Sequence, residues 1–128
     1  KKAVSLNIPA ICANPDVTAH QGNKIRYCPG TFANKYKEFG GVVHYYGKPD
    51  SHLFNAAISK HLSGVDKTKT LMIGDTMDTD ILGANRAGID SALVLSGNGR
   101  EIASRLASGE DDIFKGYEAR PTWITDGI

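Results

Sequence analysis

The sequence has little cysteine and no long apolar run, and each shortage excludes a class of protein. Its two cysteines, Cys12 and Cys28, are too few for a disulfide scaffold in 128 residues. Neither stands near a second Cys or His at zinc-ligand spacing, so we interpret both as small buried residues of a protein from a reducing cytoplasm. No apolar stretch approaches the roughly 20 residues that span a bilayer, so no membrane contact is expected.

The sequence also lacks a charge bias. Its 15 basic and 14 acidic residues leave a formal net charge of +1, and no basic run is present. Proteins that bind nucleic acids carry a basic patch or stripe, so no nucleic-acid partner is expected. With 41% hydrophobic and 23% charged residues, the composition is typical of a globular protein.

Hydrophobic patterns and turn residues predict short strands that alternate with helices. The predicted strands cover residues 8–13, 24–28, 42–46, 68–73 and 90–95, with a last short strand at 123–124. The predicted helices cover residues 31–39, 51–62, 79–87 and 100–107, the first of them capped by Thr31. Residues 24–28 alternate only weakly, which fits either an edge strand or one arm of a hairpin.

From residue 42 onward the predicted order is β-α-β-α-β-α, which indicates an α/β fold with a Rossmann-like parallel sheet. Ligands of such sheets bind beyond the carboxyl ends of the strands. Lys48 follows the strand predicted at 42–46, and Asp75 follows the strand predicted at 68–73. We therefore expect the two side chains at neighbouring strand ends on one sheet edge, as a pair for phosphate and metal.

Three carboxylates lie within six residues at the predicted strand-to-helix turn, namely Asp75, Asp78 and Asp80. Mg²⁺ usually takes one or two protein carboxylates, with waters and substrate phosphate completing its shell. Asp75, at the strand end, is best placed as the direct ligand. Asp80 could orient a metal-bound water or the lysine, and Asp78 could do either job. Helix capping is the competing interpretation. It is favoured for Asp78, stays open for Asp80 and does not suit Asp75.

The tripeptide Gly47-Lys48-Pro49 is a second candidate. Pro49 disfavours a helical conformation of the preceding residue, so Lys48 is expected in an extended backbone at the strand exit. A lysine in that position can stabilise a phosphoryl group as a point charge. Alone, the tripeptide is equally compatible with a solvated surface lysine.

Upstream, the signals are weaker. Asn14-Pro15-Asp16 is typical of a turn, and His20 falls in a segment that we interpret as a polar loop. His20 could contact a substrate there, although an exposed loop histidine is the simpler interpretation.

These motifs resemble a known family. Gly47-Lys48-Pro49, followed by the stretch from Met72 to Gly88 with Gly74-Asp75, Asp80, Gly83-Ala84 and Ala87-Gly88, resembles the third and fourth motifs of the haloacid dehalogenase (HAD) superfamily. The run from Ser91 to Gly97 is similar to its type IIA branch, which includes sugar-phosphate, nucleotide and pyridoxal-phosphate phosphatases. Cys12 to Asp16 and Tyr27 to Gly30 resemble the second half of that branch's α/β cap domain.

The resemblance implies roles for particular residues. It divides the chain into the C-terminal part of a cap domain, residues 1–46, and the C-terminal part of a core domain, residues 47–128. Lys48 would neutralise the phosphoryl group as a catalytic and substrate-binding residue. Asp75 would be catalytic and bind Mg²⁺, with Asp80 as the second metal-site carboxylate. In the cap, Asn14, Asp16 and His20 would contact a small phosphorylated metabolite, and a homodimer is a candidate assembly.

One family motif is absent. The first HAD motif is an Asp-x-Asp pair after an apolar strand, which supplies the covalent nucleophile and the general acid/base, and no such pair precedes the cap-like segment. We therefore expect a fragment of a longer Mg²⁺-dependent phosphatase that acts through an aspartyl phosphate, and we expect these 128 residues alone to be inactive. The alternative is a non-catalytic α/β binding or regulatory module that keeps the HAD fold.

Overall fold

A computed structural model describes residues 1–22 and 24–127. They form two compact units, of which the first comprises Lys1–Lys48 and the second begins at Pro49.

The first unit contains a parallel strand pair, a hairpin and one long helix. Its elements in chain order are α1 (Lys2–Ser5), β1 (Ala10–Cys12), β2 (Thr18–Gln21), β3 (Lys24–Tyr27), α2 (Pro29–Glu38) and β4 (Val43–Tyr45). β1 pairs in parallel with β4, and β2 pairs in antiparallel with β3. The hairpin interpretation of residues 24–28 is thereby confirmed. The loop predicted around His20 is wrong, because this residue lies in β2.

Two further predictions for the first unit need correction. The strand predicted at 8–13 is limited to the three residues of β1, where Cys12 is buried but Ile11 is exposed. Helix α2 begins at Pro29, two residues before the predicted cap, with Cys28 as the N-cap residue. Proline suits this first position because the missing N–H would have no helical partner. Thr31 instead donates its hydroxyl to the carbonyl of Val17 at 2.6 Å.

The second unit contains a three-stranded parallel sheet with order β5-β6-β7. Its elements in chain order are α3 (Ser51–His61), a 3₁₀ turn (Lys67–Lys69), β5 (Leu71–Gly74), a π-helical turn (Met77–Ile81), α4 (Leu82–Ala87), β6 (Asp90–Val94), a second 3₁₀ turn (Gly97–Gly99), α5 (Arg100–Ala107) and β7 (Trp123–Thr125). The parallel α/β class is confirmed. The predicted helices at 51–62 and 100–107 and the predicted strands at 90–95 and 123–124 are present.

Strand β4 does not belong to this sheet, because its hydrogen bonds go to β1. The continuous β-α-β-α-β-α sheet predicted from residue 42 onward is therefore wrong in its first strand. The strand predicted at 68–73 is also shorter than expected, since residues 67–69 form a 3₁₀ turn capped by the Asp66 side chain. The helix predicted at 79–87 begins with the π-helical turn.

Two clusters form the core of the second unit. One buries Met77, Ile81, Leu93, Ile102 and Ala119. The other buries Phe54, Ala84, Ala87 and Ile89, so that α3 and α4 pack together. These clusters fix the carboxyl ends of β5 and β6, from which the site residues emerge. Among the described residues, no helix is both long and apolar enough to cross a membrane.

Candidate active site

The turn after β5 is closed by the side chain of Asp80. This residue is only 3% exposed, and its Oδ2 accepts hydrogen bonds from the backbone N–H groups of Asp75 and Thr76, each at 3.1 Å. Asp80 thus reaches back across the turn to the strand end and holds its backbone. Neither the π-helical turn nor α4 has a side-chain capping bond at its start, so the capping interpretation does not fit Asp80. Its two hydrogen bonds brace the turn instead, and its part in a metal site stays a prediction.

The carboxylate of Asp75 is held on both oxygens. Its Oδ1 accepts the hydroxyl of Thr76 at 3.0 Å, and its Oδ2 accepts the backbone N–H of Asn98 at 2.9 Å. The Asn98 side chain also contributes, because its Nδ2 donates to Thr76 Oγ1 at 2.9 Å. A ring of hydrogen bonds therefore fixes the direction in which the half-buried Asp75 presents its charge.

The contribution of Asn98 is missing from the sequence-based prediction. Residues 96–99 follow β6, and β6 pairs in parallel with β5. Since carboxyl ends of parallel strands share one sheet edge, the turn after β6 must adjoin the turn after β5. That rule could have identified Asn98, which lies 23 residues from Asp75 in the chain.

Gly97 makes this approach possible. Its φ of +55° lies in the left-handed region, which side chains larger than hydrogen disfavour. A Cβ atom at this position would overlap Oδ2 of Asp75. Glycine thus allows the turn to bring the Asn98 N–H onto the carboxylate.

Asp78 differs from Asp75 and Asp80 in its solvent exposure, because its side chain is exposed. It stands inside the first turn of the π-helical segment and not at the cap position, which is Thr76. Burial raises the pKa of the Tyr117 phenol above its ordinary value, and a hydrogen bond to Glu101 and the charges of Glu101 and Asp78 raise it further. The charge of Asp78 therefore acts on Tyr117. The capping hydrogen bond predicted for Asp78 is not observed.

The oxygen atoms in and around Asp75 are of the type that Mg²⁺ takes as ligands. Carboxylate, hydroxyl and amide oxygens are hard ligands, and cysteine and histidine, which zinc prefers, do not take part in this network. Within residues 1–22 and 24–127, no three His, Cys, Asp or Glu side chains are grouped closely enough to form a complete metal site. Mg²⁺ needs only one or two protein carboxylates, so Asp75 with Asp80 fits a partial ligand set.

Lys48 lies in the first unit, at the exit of β4. The preceding Gly47 has a φ of +126°, and a Cβ there would stand 2.5 Å from the carbonyl oxygen of Ala13. Glycine is therefore required for the chain to leave β4 in the direction that positions Lys48, which is half-buried. The predicted placement of Lys48 and Asp75 on neighbouring strands is wrong, because β4 and β5 belong to different sheets.

Asn14 and Asp16 belong to one turn, in which the Asn14 Oδ1 accepts the N–H of Asp16 at 3.1 Å. The turn is tied to the start of α2, since Gly30 N donates to the Asp16 carbonyl at 3.0 Å. Asn14 also lines a mainly apolar groove of about 340 Å³ between β1 and α2. His20 is exposed on β2 and does not line that groove.

Comparison with known proteins defines the class. The family model described as HAD-hydrolase-like matches residues 45–128, so the chain belongs to this family of hydrolases. The relatives place it in the type IIA branch of that family, to which the run from Ser91 to Gly97 is similar.

Particular relatives match almost the whole chain. Dihydroxyacetone phosphatase of Corynebacterium glutamicum (strain R) is 33% identical over 92% of this chain and 39% of its own length. Ribonucleotide monophosphatase NagD of Escherichia coli K12 is 33% identical over 92% of this chain and 42% of its own. A crystal structure of a haloacid dehalogenase-like hydrolase from Brucella suis 1330 matches with a TM-score of 0.74 and 32% identity, covering 99% of this chain and 46% of that one. The chain thus spans less than half the length of these relatives.

Proposed function

We propose that these 128 residues form part of a Mg²⁺-dependent phosphohydrolase that cleaves small phosphomonoesters. The observation that carries the proposal is the hydrogen-bonded turn in which Asp80 braces the end of β5 and the Asp75 carboxylate is fixed on both oxygens. A carboxylate held in one direction at the carboxyl end of a parallel strand is suited to present a metal ion to a ligand there. The family to which the chain belongs supports the same chemistry.

In this proposal each residue has one task. Asp75 is the direct ligand of Mg²⁺, and Asp80 keeps the Asp75 backbone in place and serves as the second carboxylate of the metal site. Lys48 places a positive charge on the phosphoryl oxygens and on the nucleophile. When bound, Mg²⁺ would offset the negative charge that accumulates on the phosphoryl group during transfer.

The nucleophile of the proposed reaction is an aspartate that these residues do not contain. Its carboxylate oxygen attacks phosphorus while the bond to the leaving oxygen breaks, and a general acid protonates that oxygen. Water then attacks the phosphorus of the aspartyl phosphate, which releases inorganic phosphate and restores the carboxylate. We infer that the 128 residues alone do not turn over substrate.

The substrate in this proposal is a small phosphorylated metabolite. Two relatives are named for action on dihydroxyacetone phosphate and on ribonucleotide monophosphates. The first unit contains seven Lys and Arg but only two Asp and Glu, and a basic surface attracts anionic substrates. Asn14, Asp16 and His20 would select the organic part of the substrate.

Assembly and location complete the proposal. A homodimer is its candidate assembly. A cytoplasmic location agrees with the two thiols of Cys12 and Cys28, which are both free.

Asp75→Asn in the full-length enzyme tests the proposal. Asparagine keeps the shape of the side chain and one of its two hydrogen-bond acceptors but removes the charge that holds Mg²⁺. We expect Mg²⁺-dependent phosphate release from a panel of phosphomonoesters to fall by more than the about 10–100-fold that removal of a partner behind a metal ligand costs. Asp78→Asn is the matched control and should stay near wild type. Activity retained by the Asp75 variant would refute the assigned role.

A further inference from the structure

We propose that Asn98, acting through Thr76, positions the Asp75 carboxylate and thereby sets the affinity of the site for Mg²⁺. The role assigned to Asn98 rests on the proposed function of Asp75. It concerns a residue in the turn after β6, which none of the motifs around Lys48 or Asp75 includes.

The first step of the argument is the direction of the hydrogen bonds. The amide Nδ2 of Asn98 can only donate, so at 2.9 Å Thr76 Oγ1 must accept. Once the hydroxyl oxygen has accepted, its own hydrogen is available for Asp75 Oδ1, which lies 3.0 Å away. Asn98 thus selects the hydroxyl orientation in which Thr76 donates to the carboxylate.

The second step is that the same residue holds the other oxygen. The backbone N–H of Asn98 donates to Asp75 Oδ2 at 2.9 Å. Asp75 is therefore bound at Oδ2 directly by Asn98 and at Oδ1 through Thr76. Rotation of the carboxylate about its Cβ–Cγ bond would break both contacts, so its remaining lone pairs point in a fixed direction.

The third step is the energetic meaning of that restraint. A carboxylate that is already oriented loses less conformational freedom when it binds a cation than one that rotates freely. Hydrogen-bonding partners behind a metal ligand commonly change metal affinity or activity by about 10–100-fold when they are removed. The network around Asp75 consists of such partners, with the Thr76 hydroxyl in direct contact and the Asn98 side chain one hydrogen bond further away.

Two substitutions separate the contributions. Thr76→Val replaces the hydroxyl by a methyl group of similar size, and Asn98→Ala removes the amide while leaving the backbone N–H. Thr76→Val should weaken binding of Mg²⁺ by on the order of tenfold. Asn98→Ala should weaken it by about threefold, as expected for one neutral hydrogen bond. Because both side chains act through the same hydroxyl, Asn98→Ala should have no further effect in the Thr76→Val background.

The experiment is a calorimetric titration of the full-length enzyme with MgCl₂ in the absence of substrate, together with the Mg²⁺ dependence of kcat and the substrate KM. We expect the Mg²⁺ dissociation constant to rise while substrate KM at saturating Mg²⁺ and Tm without metal stay unchanged. Thr76→Ser, which retains the hydroxyl, should restore wild-type affinity. Ser96→Ala is the matched control, because it lies in the same turn and its side chain is exposed.

The outcomes distinguish this role from the proposed function. If Asp75→Asn abolishes Mg²⁺ binding while Thr76→Val and Asn98→Ala bind as wild type, the positioning role is wrong and the proposed function survives. If Asp75→Asn itself binds Mg²⁺ normally, both are wrong. Additive losses in the double variant would also overturn the shared path through Thr76. If Thr76→Val fails to fold, the Mg²⁺ affinity of Asn98→Ala alone tests the positioning role, since this substitution removes only a half-buried amide.

Discussion

Asp80 shows how one carboxylate in a metal-binding motif can serve mainly the backbone. It is buried, and one of its oxygens accepts two backbone N–H groups of the turn after β5. A buried carboxylate that accepts two N–H bonds supports the turn even when no metal is bound. The pair Asp75 and Asp80 therefore differs in task although both belong to the same sequence motif.

The first prediction concerns Asp80→Ala. The change leaves the N–H groups of Asp75 and Thr76 without their acceptor, and unpaired buried donors cost about 1–3 kcal/mol. We expect the free energy of unfolding of the 128-residue chain to fall by about that amount, measured by urea denaturation without metal. Asp75→Asn is the comparison and should cost less, because asparagine keeps one of the two acceptor oxygens. Equal stability of Asp80→Ala and wild type would show that the brace has no energetic weight.

The identity of the charged residues could be predicted from the sequence, but their environment could not. Asp75 and Asp80 stand in a recognisable local pattern. The partners that orient Asp75 include Asn98, which the pairing of β5 with β6 brings near. Such a partner depends on which strands are neighbours, and that information is not local to the motif.

At the scale of elements, the contact between α3 and α4 depends on a residue without a side chain. Gly83 is buried, and a Cβ at this position would overlap the Phe54 ring and stand 3.3 Å from the Cα of Pro49. Helix propensity alone predicts that Gly83→Ala stabilises α4 by about 1 kcal/mol. Packing predicts the opposite, because close-packed interiors resist added volume.

We expect packing to dominate, so that Gly83→Ala lowers the free energy of unfolding by about 1–3 kcal/mol in urea denaturation. Phe54→Leu removes part of the ring that the new methyl group would meet. Phe54→Leu should therefore lower the free energy of unfolding less in the Gly83→Ala background than in wild type. A double-mutant cycle measures this difference as a coupling energy. A stabilising Gly83→Ala would mean that the helices can separate at no cost.

The start of α3 carries a pH-dependent contribution to stability. The Asp50 side chain caps the helix by accepting the N–H of His52 at 2.9 Å, and it also contacts His52 Nδ1 at 2.7 Å. These hydrogen bonds lower the pKa of Asp50 below its ordinary value of 3.8. The ionised form of Asp50 therefore stabilises the folded state at pH values above 3.8, and this stabilisation is lost as the pH falls through the lowered pKa.

Asp50→Asn tests this contribution, because asparagine is also a good N-cap residue but carries no charge. The Tm of the variant should lie below that of wild type at neutral pH. The difference should shrink as the pH is lowered through the ordinary value of 3.8 and then through the lowered pKa of Asp50 in the folded state. Circular dichroism melting curves at several pH values provide the measurement. A difference that is constant over this range would exclude the charge as its cause.

The helices could be predicted from residues close together in the sequence, whereas the pairing of strands depends on residues far apart in the sequence. Helices α3 and α5 follow from local periodicity, and the structure contains both at nearly the predicted bounds. The sequence pattern predicts β4 as a strand but assigns it to the wrong sheet. Its partner β1 lies about 30 residues upstream, and hydrophobic patterns identify strands without identifying their partners. The sequence pattern does not predict β2, because Thr18–Gln21 contains only polar residues and one alanine.

For the whole molecule, the sheet of the second unit has an open edge, and its two outer strands carry half-exposed apolar residues on one face. β5 pairs with β6 on one side, and no strand within residues 1–22 and 24–127 pairs with its other side. Leu71 and Ile73 are 46% and 47% exposed, and Trp123, on the same face by register, is 53% exposed. Leu93, on the opposite face, is buried in the core. Parallel sheets are normally covered on both faces, and exposed apolar edges promote strand association.

We therefore expect the 128-residue chain to self-associate through β5. Ile73→Lys places a charge on the open edge strand at a position that is already half exposed, so it should reduce association without unfolding the sheet. Sedimentation velocity should show concentration-dependent oligomers for wild type and a shift toward monomer for Ile73→Lys.

Leu106→Lys on α5 is the matched control, because Leu106 is 51% exposed but lies off the sheet. High salt should not dissolve the oligomers, since burial of apolar surface is not screened. If Leu106→Lys dissociates them as well as Ile73→Lys does, or if wild type is monomeric throughout, the open strand is not an association site.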